Sequence, residues 1–246
     1  MKTGIIGFGR FGQLLAKILL KENNIKVTDK QDKSGIAKKI GVDFCNLDEV
    51  CEQELIILCV PISEVENTLL KIKDKIGKNQ IVMDICSVKE YPAKLMKKYL
   101  SKDAEIISCH PMFGPDSAKN GLAGLQIVFY NLRAKKQSFE RVKKIFKNLK
   151  LKIIEMSPAE HDRQNAMSLA LVYFIGRAFE DMNIPEIKIT TGTFQKLREI
   201  GRIVSNDSEQ LFCDMQNRNR FTKKIREKFI KKAVEIDKKL GTLKTR

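Results

Sequence analysis

The stretch Thr3–Gly12, TGIIGFGRFG, decides the fold that the sequence predicts. An apolar strand-like run leads into three glycines, and apolar residues at positions 11, 14, 15, 18 and 19 then give an amphipathic helical pattern. In this G-x-G-x-x-G pattern, Gly7 would form a tight turn, Gly9 would admit a pyrophosphate, and Gly12 would allow close helix packing. The stretch therefore predicts a Rossmann-type dinucleotide site, with a glycine turn that binds no nucleotide as the alternative.

The acidic residue expected about 20 positions further on is Asp29, at the end of the second predicted strand. A carboxylate there binds the ribose hydroxyls of NAD and repels the 2′-phosphate of NADP, whereas Lys30 and Lys33 could hold that phosphate. The sequence favours NAD and leaves NADP possible. The residues assigned to the cofactor are Gly7, Gly9, Arg10, Phe11, Gly12, Asp29, Lys30, Val60 and Pro61.

Strand-like and helical patterns alternate through the first part of the chain, which indicates an α/β fold with a doubly wound, mostly parallel sheet. We expect a nucleotide-binding domain over residues 1–156 and a smaller all-α substrate and dimerisation domain over residues 157–246, with the ligand in the cleft between them. The predicted strands are Thr3–Phe8, Ile25–Asp29, Leu55–Val60, Ile81–Ile85, Glu105–Cys109, Gln126–Tyr130 and Leu151–Met156.

The strands stop near residue 157, where Ser157 has the pattern of a helix N-cap, with Pro158 and Glu160 in the first turn. The segment Ala166–Phe179 is apolar on nearly all sides, which predicts a buried central helix. Further predicted helices are Thr193–Val204 and a long one from about Ser208 to Leu240.

The formal net charge is +16, and 31% of the 246 residues are charged. The Lys residues are scattered among Asp and Glu, with no nucleic-acid-binding motif, so we expect an anionic small-molecule substrate and no nucleic-acid partner. The six cysteines contain no C-x-x-C pair and predict neither a disulfide framework nor a metal site. Without a signal sequence or a membrane-spanning run, the chain is expected to be cytoplasmic, with no membrane partner.

Two polar side chains follow consecutive predicted strands at their carboxyl ends, where open α/β sheets bind ligands. Ser87 follows the fourth strand, and His110, one of only two histidines, follows the fifth. This placement favours a site histidine over a histidine buried in the core.

Four motifs resemble the prephenate/arogenate dehydrogenase family of tyrosine biosynthesis. They are DICSVK at 84–89, CHPMFGPDSAKNGLAGL at 109–125, EMSPAEHD at 155–162 and IGRIVSNDSEQLF at 200–212. The resemblance runs in order from residue 3 to about residue 237, and the HPM motif together with the downstream HD and the glycine loop is specific.

The resemblance implies NAD(P)-dependent oxidative decarboxylation of prephenate to 4-hydroxyphenylpyruvate, with arogenate as the alternative substrate. It implies that His110 takes the proton of the ring hydroxyl and that Ser87 orients the imidazole. Arg202 would bind a substrate carboxylate, unless it is a surface arginine, and Asp116 would lie beside the site, unless it caps a turn. Tyr173 stands where several prephenate-specific members carry a histidine, which leaves the choice between the two substrates open.

The remaining motif residues are given other roles. His161 and Asp162 are interpreted as mainly structural, with a direct catalytic role for His161 as the alternative, and Asp162 is placed in the first turn of its helix, where it suits the helix dipole. Arg218 and Arg220 are expected on a solvated face or a subunit contact. The long apolar helix predicts a homodimer. A different reductase and a non-catalytic nucleotide-binding or nucleic-acid-binding protein are the alternative functions.

Overall fold

The computed structural model describes residues 1–20 and 24–242. The chain divides into two compact units, Met1–His161 and Asp162–Arg246. The sequence prediction places this boundary after residue 156, and the last four residues of the predicted second domain lie outside the described residues.

The strands of the first unit form one sheet in the order β3-β2-β1-β4-β5-β6-β7-β8. Neighbouring strands are parallel except β6 and β7, which are antiparallel, so the predicted mostly parallel α/β sheet is confirmed. The strands are β1 Thr3–Ile6, β2 Ile25–Thr28, β3 Asp43–Phe44, β4 Leu55–Leu58, β5 Ile81–Asp84, β6 Glu105–Pro111, β7 Gln126–Arg133 and β8 Lys152–Glu155.

Helices connect these strands because their apolar residues recur at helical spacing and pack on the sheet. In α1, for example, Leu15 and Leu19 are buried in the core beside Ile5 of β1. The helices of this unit are α1 Arg10–Leu19, α2 Ser34–Ile40, α3 Leu47–Cys51, α4 Val65–Ile72, α5 Glu90–Tyr99 and α6 Lys136–Asn148.

The strands differ from the sequence prediction mainly at β3, β6 and β7, of which β7 extends to Arg133 rather than ending at Tyr130. Strand β3 was not predicted, because two residues are too few to give a period-2 pattern. Strand β6 extends to Pro111 rather than ending at Cys109, so His110 lies inside a strand and not in the loop beyond it. The extension is stabilised by β7, since His110 pairs with Val128.

The remaining helices are α7 Pro158–Met167, α8 Leu169–Asp181, α9 Gly192–Ser205, α10 Glu209–Arg218 and α11 Thr222–Thr242. The start of α7 is as predicted, and the Ser157 hydroxyl accepts the Glu160 N–H at 3.3 Å. Asp162 is not in the first turn, where the acidic residue is Glu160, and it is fully buried. The dipole interpretation of Asp162 was therefore wrong.

The two long predicted helices are each interrupted. The segment Ala166–Phe179 is divided at Ser168, and Val172 is 41% exposed, so it is not one buried helix. The helix predicted from Ser208 is divided at Asn219, whose side chain accepts the N–H of Phe221 and donates to the carbonyl of Asp162. An asparagine that bonds the backbone in this way competes with the helix.

Large apolar side chains are exposed mainly in the second unit. On α11, Phe229, Ile236 and Leu240 recur at helical spacing and are 37%, 60% and 63% exposed. Met182 and Ile189, outside that helix, are also exposed. No helix in the described part of the chain is both long and apolar enough to cross a bilayer.

Candidate active site

The phosphate loop between β1 and α1 requires glycine at two positions and is open at a third. Gly7 has φ +101°, and a Cβ there would lie 2.2 Å from the carbonyl oxygen of Cys59. A Cβ on Gly12 would lie 2.2 Å from the Gly7 oxygen, whereas one on Gly9 would meet no atom within 4 Å. Helix α1 begins at Arg10 without a side-chain cap. Backbone N–H groups beside open space at a helix N-terminus fit a pyrophosphate.

Asp29 is fixed at the end of β2 by three donors. Its carboxylate accepts the N–H of Phe8 at 2.7 Å, the N–H of Gln31 at 3.0 Å and the ammonium of Lys33 at 2.9 Å. Burial raises the pKa of Asp29, but these hydrogen bonds outweigh it and hold the pKa below its usual value. The carboxylate is therefore charged, and the bond to Phe8 ties it to the phosphate loop.

The other predicted cofactor residues lie around the same loop. Val60 follows β4, and its Cγ1 is 3.1 Å from where a Cβ on Gly7 would stand. Pro61 comes next and is exposed. Lys30 forms an ion pair with Glu64, so its ammonium binds Glu64 rather than Asp29.

An ion pair joins the phosphate loop to the loop that follows β6. The Arg10 guanidinium lies 2.9 Å from the Asp116 carboxylate, which also binds Lys119 at 2.8 Å. Lys119 and Arg10 lower the pKa of Asp116 to about 2. The rings of Phe11 and Phe113 also approach, with centroids 6.2 Å apart. A predicted cofactor residue and a predicted substrate residue are thus in direct contact.

His110 and His161 share a hydrogen bond in the interior of the first unit. The distance from Nδ1 of His110 to Nε2 of His161 is 2.8 Å, and the side chains are only 5% and 2% exposed. Burial, His161 and the charge of Lys89 together lower the pKa of His110 well below its usual value. The imidazole of His110 is therefore neutral at physiological pH and able to accept a proton.

A buried ion pair contacts β6 at the residue before His110. The Lys89 ammonium is bonded to the Asp84 carboxylate and to the carbonyl oxygen of Cys109, and the two charged side chains are 2% and 0% exposed. The last residue of β5, Asp84, pairs with Ser108, so β5 ends before Cys109. Lys89 thus donates a hydrogen bond to Cys109, the first position of β6 beyond its last pair with β5.

Ser87 lies within this connection between β5 and α5. The same Asp84 carboxylate accepts the N–H of Cys86 at 3.1 Å, which fixes the backbone one residue before Ser87. The ion pair therefore positions both predicted catalytic residues, since it contacts the chain next to Ser87 and next to His110.

Two predicted substrate residues belong to the second unit. The hydroxyl of Tyr173 on α8 donates to the carboxylate of Asp207 at 2.5 Å. Arg202 is exposed on α9. Arg218 and Arg220 are exposed as well, and the guanidinium of Arg220 lies over the neighbouring Phe221 ring.

Comparison with known proteins identifies the family. The model described as prephenate dehydrogenase, nucleotide-binding domain, matches residues 15–155, which is more than half of the chain. The chain belongs to the prephenate/arogenate dehydrogenase family. The model described as TYRAAT1-like, C-terminal domain, matches residues 178–245. The match to the nucleotide-binding domain confirms the resemblance, and the protein is a member of a family of dehydrogenases.

Three relatives illustrate the family. Arogenate dehydrogenase 2 of Arabidopsis thaliana is 33% identical over 86% of this chain, and the match spans 62% of that protein. The crystal structure of Synechocystis arogenate dehydrogenase has a TM-score of 0.73 at 20% identity and covers 98% and 92% of the two chains. The A. aeolicus prephenate dehydrogenase, in complex with hydroxyphenyl propionate and NAD⁺, has a TM-score of 0.79 at 18% identity and covers 97% and 90%. The two structures confirm the fold.

The sequence prediction did not assign two features that the structure brings to the site. His161 was interpreted as structural, yet its ring bonds the ring of His110. Lys89 and Asp84 were quoted in a family motif without a role. The sequence does contain a signal for them, because Asp84 ends a strand that is otherwise apolar, Lys89 follows five positions later, and charged side chains are seldom buried unless they are paired.

We expect the single substitution Lys89→Met to lower the free energy of unfolding by about 3–5 kcal/mol, because it leaves the Asp84 carboxylate buried and unpaired. Urea denaturation measures the change. The double variant Lys89→Met with Asp84→Asn removes both charges and should lose less stability. A double variant as unstable as the single one would contradict this account of the pair.

Proposed function

We propose that the protein catalyses the NAD(P)-dependent oxidative decarboxylation of prephenate or arogenate. The observation that carries the proposal is the buried, neutral His110 on a strand of the nucleotide-binding unit. An imidazole with a depressed pKa is a base that stays available below neutral pH. The family motifs at 84–89 and 109–125 supply the residues around it.

NAD is the proposed cofactor, and it would accept a hydride from the ring carbon that bears the hydroxyl group. The loop residues fit its pyrophosphate, and the charged Asp29 fits the ribose hydroxyls. NADP is the second candidate, because the ammonium of Lys33 neutralises part of the charge of Asp29 where a 2′-phosphate would lie.

The residues of this chain would handle the proton. As the hydride leaves, Nε2 of His110 takes the proton of the substrate hydroxyl. The ring carboxylate then departs as CO₂, its bonding electrons make the ring aromatic, and the proton returns to the phenolate oxygen. Ser87 would contact the substrate beside His110, Asp116 would lie beside the site, and Arg202 would bind a carboxylate with its guanidinium fork.

The two substrates differ in the side chain, which carries an ammonium group in arogenate and a keto group in prephenate. If Tyr173 faces this end of the substrate, its partner Asp207 brings a carboxylate close to it. A carboxylate favours an ammonium group over a keto oxygen, which supports arogenate. The A. thaliana and Synechocystis relatives are also named arogenate dehydrogenases. Arg202 does not distinguish the two substrates, since both carry a carboxylate that it could bind.

The exposed apolar face of α11 supports a homodimer as the working form. Phe229, Ile236 and Leu240 lie on one side of this helix, and exposed apolar patches of this kind mark association surfaces. A second copy of the chain would cover the face. A cytoplasmic location stays a prediction.

We expect His110→Asn to lower kcat by about 10²–10⁴-fold, the usual contribution of a positioned general base, with little change in NAD affinity. Because the base must be neutral and its pKa is depressed, the acid limb of kcat/KM for the natural enzyme should lie below pH 6.5. Steady-state kinetics as a function of pH measure kcat and the acid limb, and calorimetry measures the NAD affinity. Turnover by His110→Asn at the natural rate would contradict the assignment.

A two-by-two assay with prephenate and arogenate against NAD and NADP tests the specificity. We expect the highest kcat/KM with arogenate and NAD. Asp207→Asn should move the preference towards prephenate, because it removes the charge near the ammonium group. Lys33→Ala should selectively weaken NADP use. Faster turnover of prephenate that Asp207→Asn leaves unchanged would reject arogenate as the preferred substrate.

Light scattering should give a dimer mass at micromolar concentration. The double substitution Ile236→Glu with Leu240→Glu places charges on the apolar face of α11 and should give monomers. Lys238→Glu, on the same helix outside that face, is the matched control and should remain dimeric. A monomeric natural protein would contradict the prediction.

A further inference from the structure

Both histidines of the chain take part in one hydrogen bond. Their ring centroids are 5.0 Å apart and the ring planes are inclined by 70°, so the rings meet edge to face. A neutral imidazole has one N–H donor and one acceptor nitrogen. The bond between His110 and His161 therefore contains a single hydrogen, and the neutral pair has two possible arrangements.

The two arrangements give His110 opposite properties. If Nδ1 of His110 carries the shared hydrogen, its Nε2 has a lone pair and can take a proton. If Nε2 of His161 carries that hydrogen, Nε2 of His110 must carry one as well and can only donate. Because Nδ1 faces His161, Nε2 is the ring nitrogen of His110 that remains for a substrate.

The fold brings His161 to His110 through the register of three strands. Cys109 on β6 pairs with Phe129 on β7, and Phe129 pairs with Glu155 on β8, so β8 ends level with the residue before His110. Helix α7 begins at Pro158, and the N–H of His161 donates to the carbonyl of Ser157 at 2.9 Å. His161 is therefore held by the first turn of a helix anchored to the sheet.

The electrostatic surroundings keep a positive charge off His110. Burial opposes protonation of His110 and lowers its pKa, and His161, on α7, and Lys89, at the start of α5, lower that pKa further. His161 is itself buried. In a Ser-His-Asp triad an aspartate fixes the histidine tautomer and also stabilises the imidazolium, whereas a neutral imidazole supplies only the hydrogen-bond acceptor.

We propose that His161 is a positioning residue whose Nε2 accepts the Nδ1 hydrogen of His110, which leaves Nε2 of His110 as the proton acceptor. The role rests on the proposed function, in which His110 is the base. Both imidazoles then carry hydrogen on Nδ1, the tautomer that an isolated histidine in water does not favour. His161 acts through His110 and has no contact with substrate in this role.

Nitrogen NMR of protein labelled with ¹⁵N-histidine tests the tautomer directly, because the chain contains only two histidines. The natural protein at neutral pH should show a protonated Nδ1 and an unprotonated Nε2 on both rings. Hydrogen on Nε2 of His110 would overturn the proposal. This measurement needs no variant and no turnover.

Two substitutions of His161 extend the test. His161→Gln keeps an acceptor oxygen near the position of Nε2, so the Nδ1–H tautomer of His110 and most of kcat should persist. His161→Leu removes the acceptor, so His110 should revert to Nε2–H and kcat should fall at least tenfold, with unchanged NAD affinity. His161→Leu with an unchanged tautomer and unchanged kcat would overturn the proposal.

The outcomes separate this proposal from the proposed function. The predicted tautomer in a protein that turns over neither substrate would support the hydrogen-bond assignment and reject the proposed reaction. Turnover that depends on His110, combined with hydrogen on Nε2 of that ring, would reject the role of His161 alone.

Discussion

The geometry of the site depends on the buried ion pair between Lys89 and Asp84. Taking two charges out of water is costly, and the cost is met only where the partners and further hydrogen bonds satisfy them. Here the ammonium also bonds the Cys109 carbonyl, and the carboxylate also bonds the N–H of Cys86. The pair thus fixes two adjacent strand ends, and its positive charge helps to keep the neighbouring His110 neutral.

The sequence predicts the sheet and the phosphate loop well because their signals are local. Seven of the strands follow from apolar runs, and the loop follows from glycine spacing that the structure explains sterically at Gly7 and Gly12. The connection between Lys89 and Cys109 was not predicted, since it joins residues 20 positions apart. The bond between His110 and His161 spans 51 positions and depends on strand register, which no local pattern encodes.

The second unit was predicted less well, for a physical reason. The breaks at Ser168 and Asn219 carry no glycine or proline, and the Asn219 side chain ends α10 through contacts with Asp162 and Phe221. Likewise, an all-round apolar pattern predicted burial for the segment that includes Val172, yet that side chain is exposed in the single chain. Hydrophobic pattern indicates which surfaces avoid water, but not which partner covers them.

Strand β6 includes His110 and Pro111, two residues more than the sequence predicted, and this extension determines which parts of the site can move. His110 lies within β6 and pairs with Val128 on β7, so a shift of its backbone would disturb this pairing. The following loop is joined to the phosphate loop through Arg10 and Asp116, which are surface groups that water and salt can compete for. Any adjustment to a bound ligand therefore falls on this loop, while His110 stays on the strand.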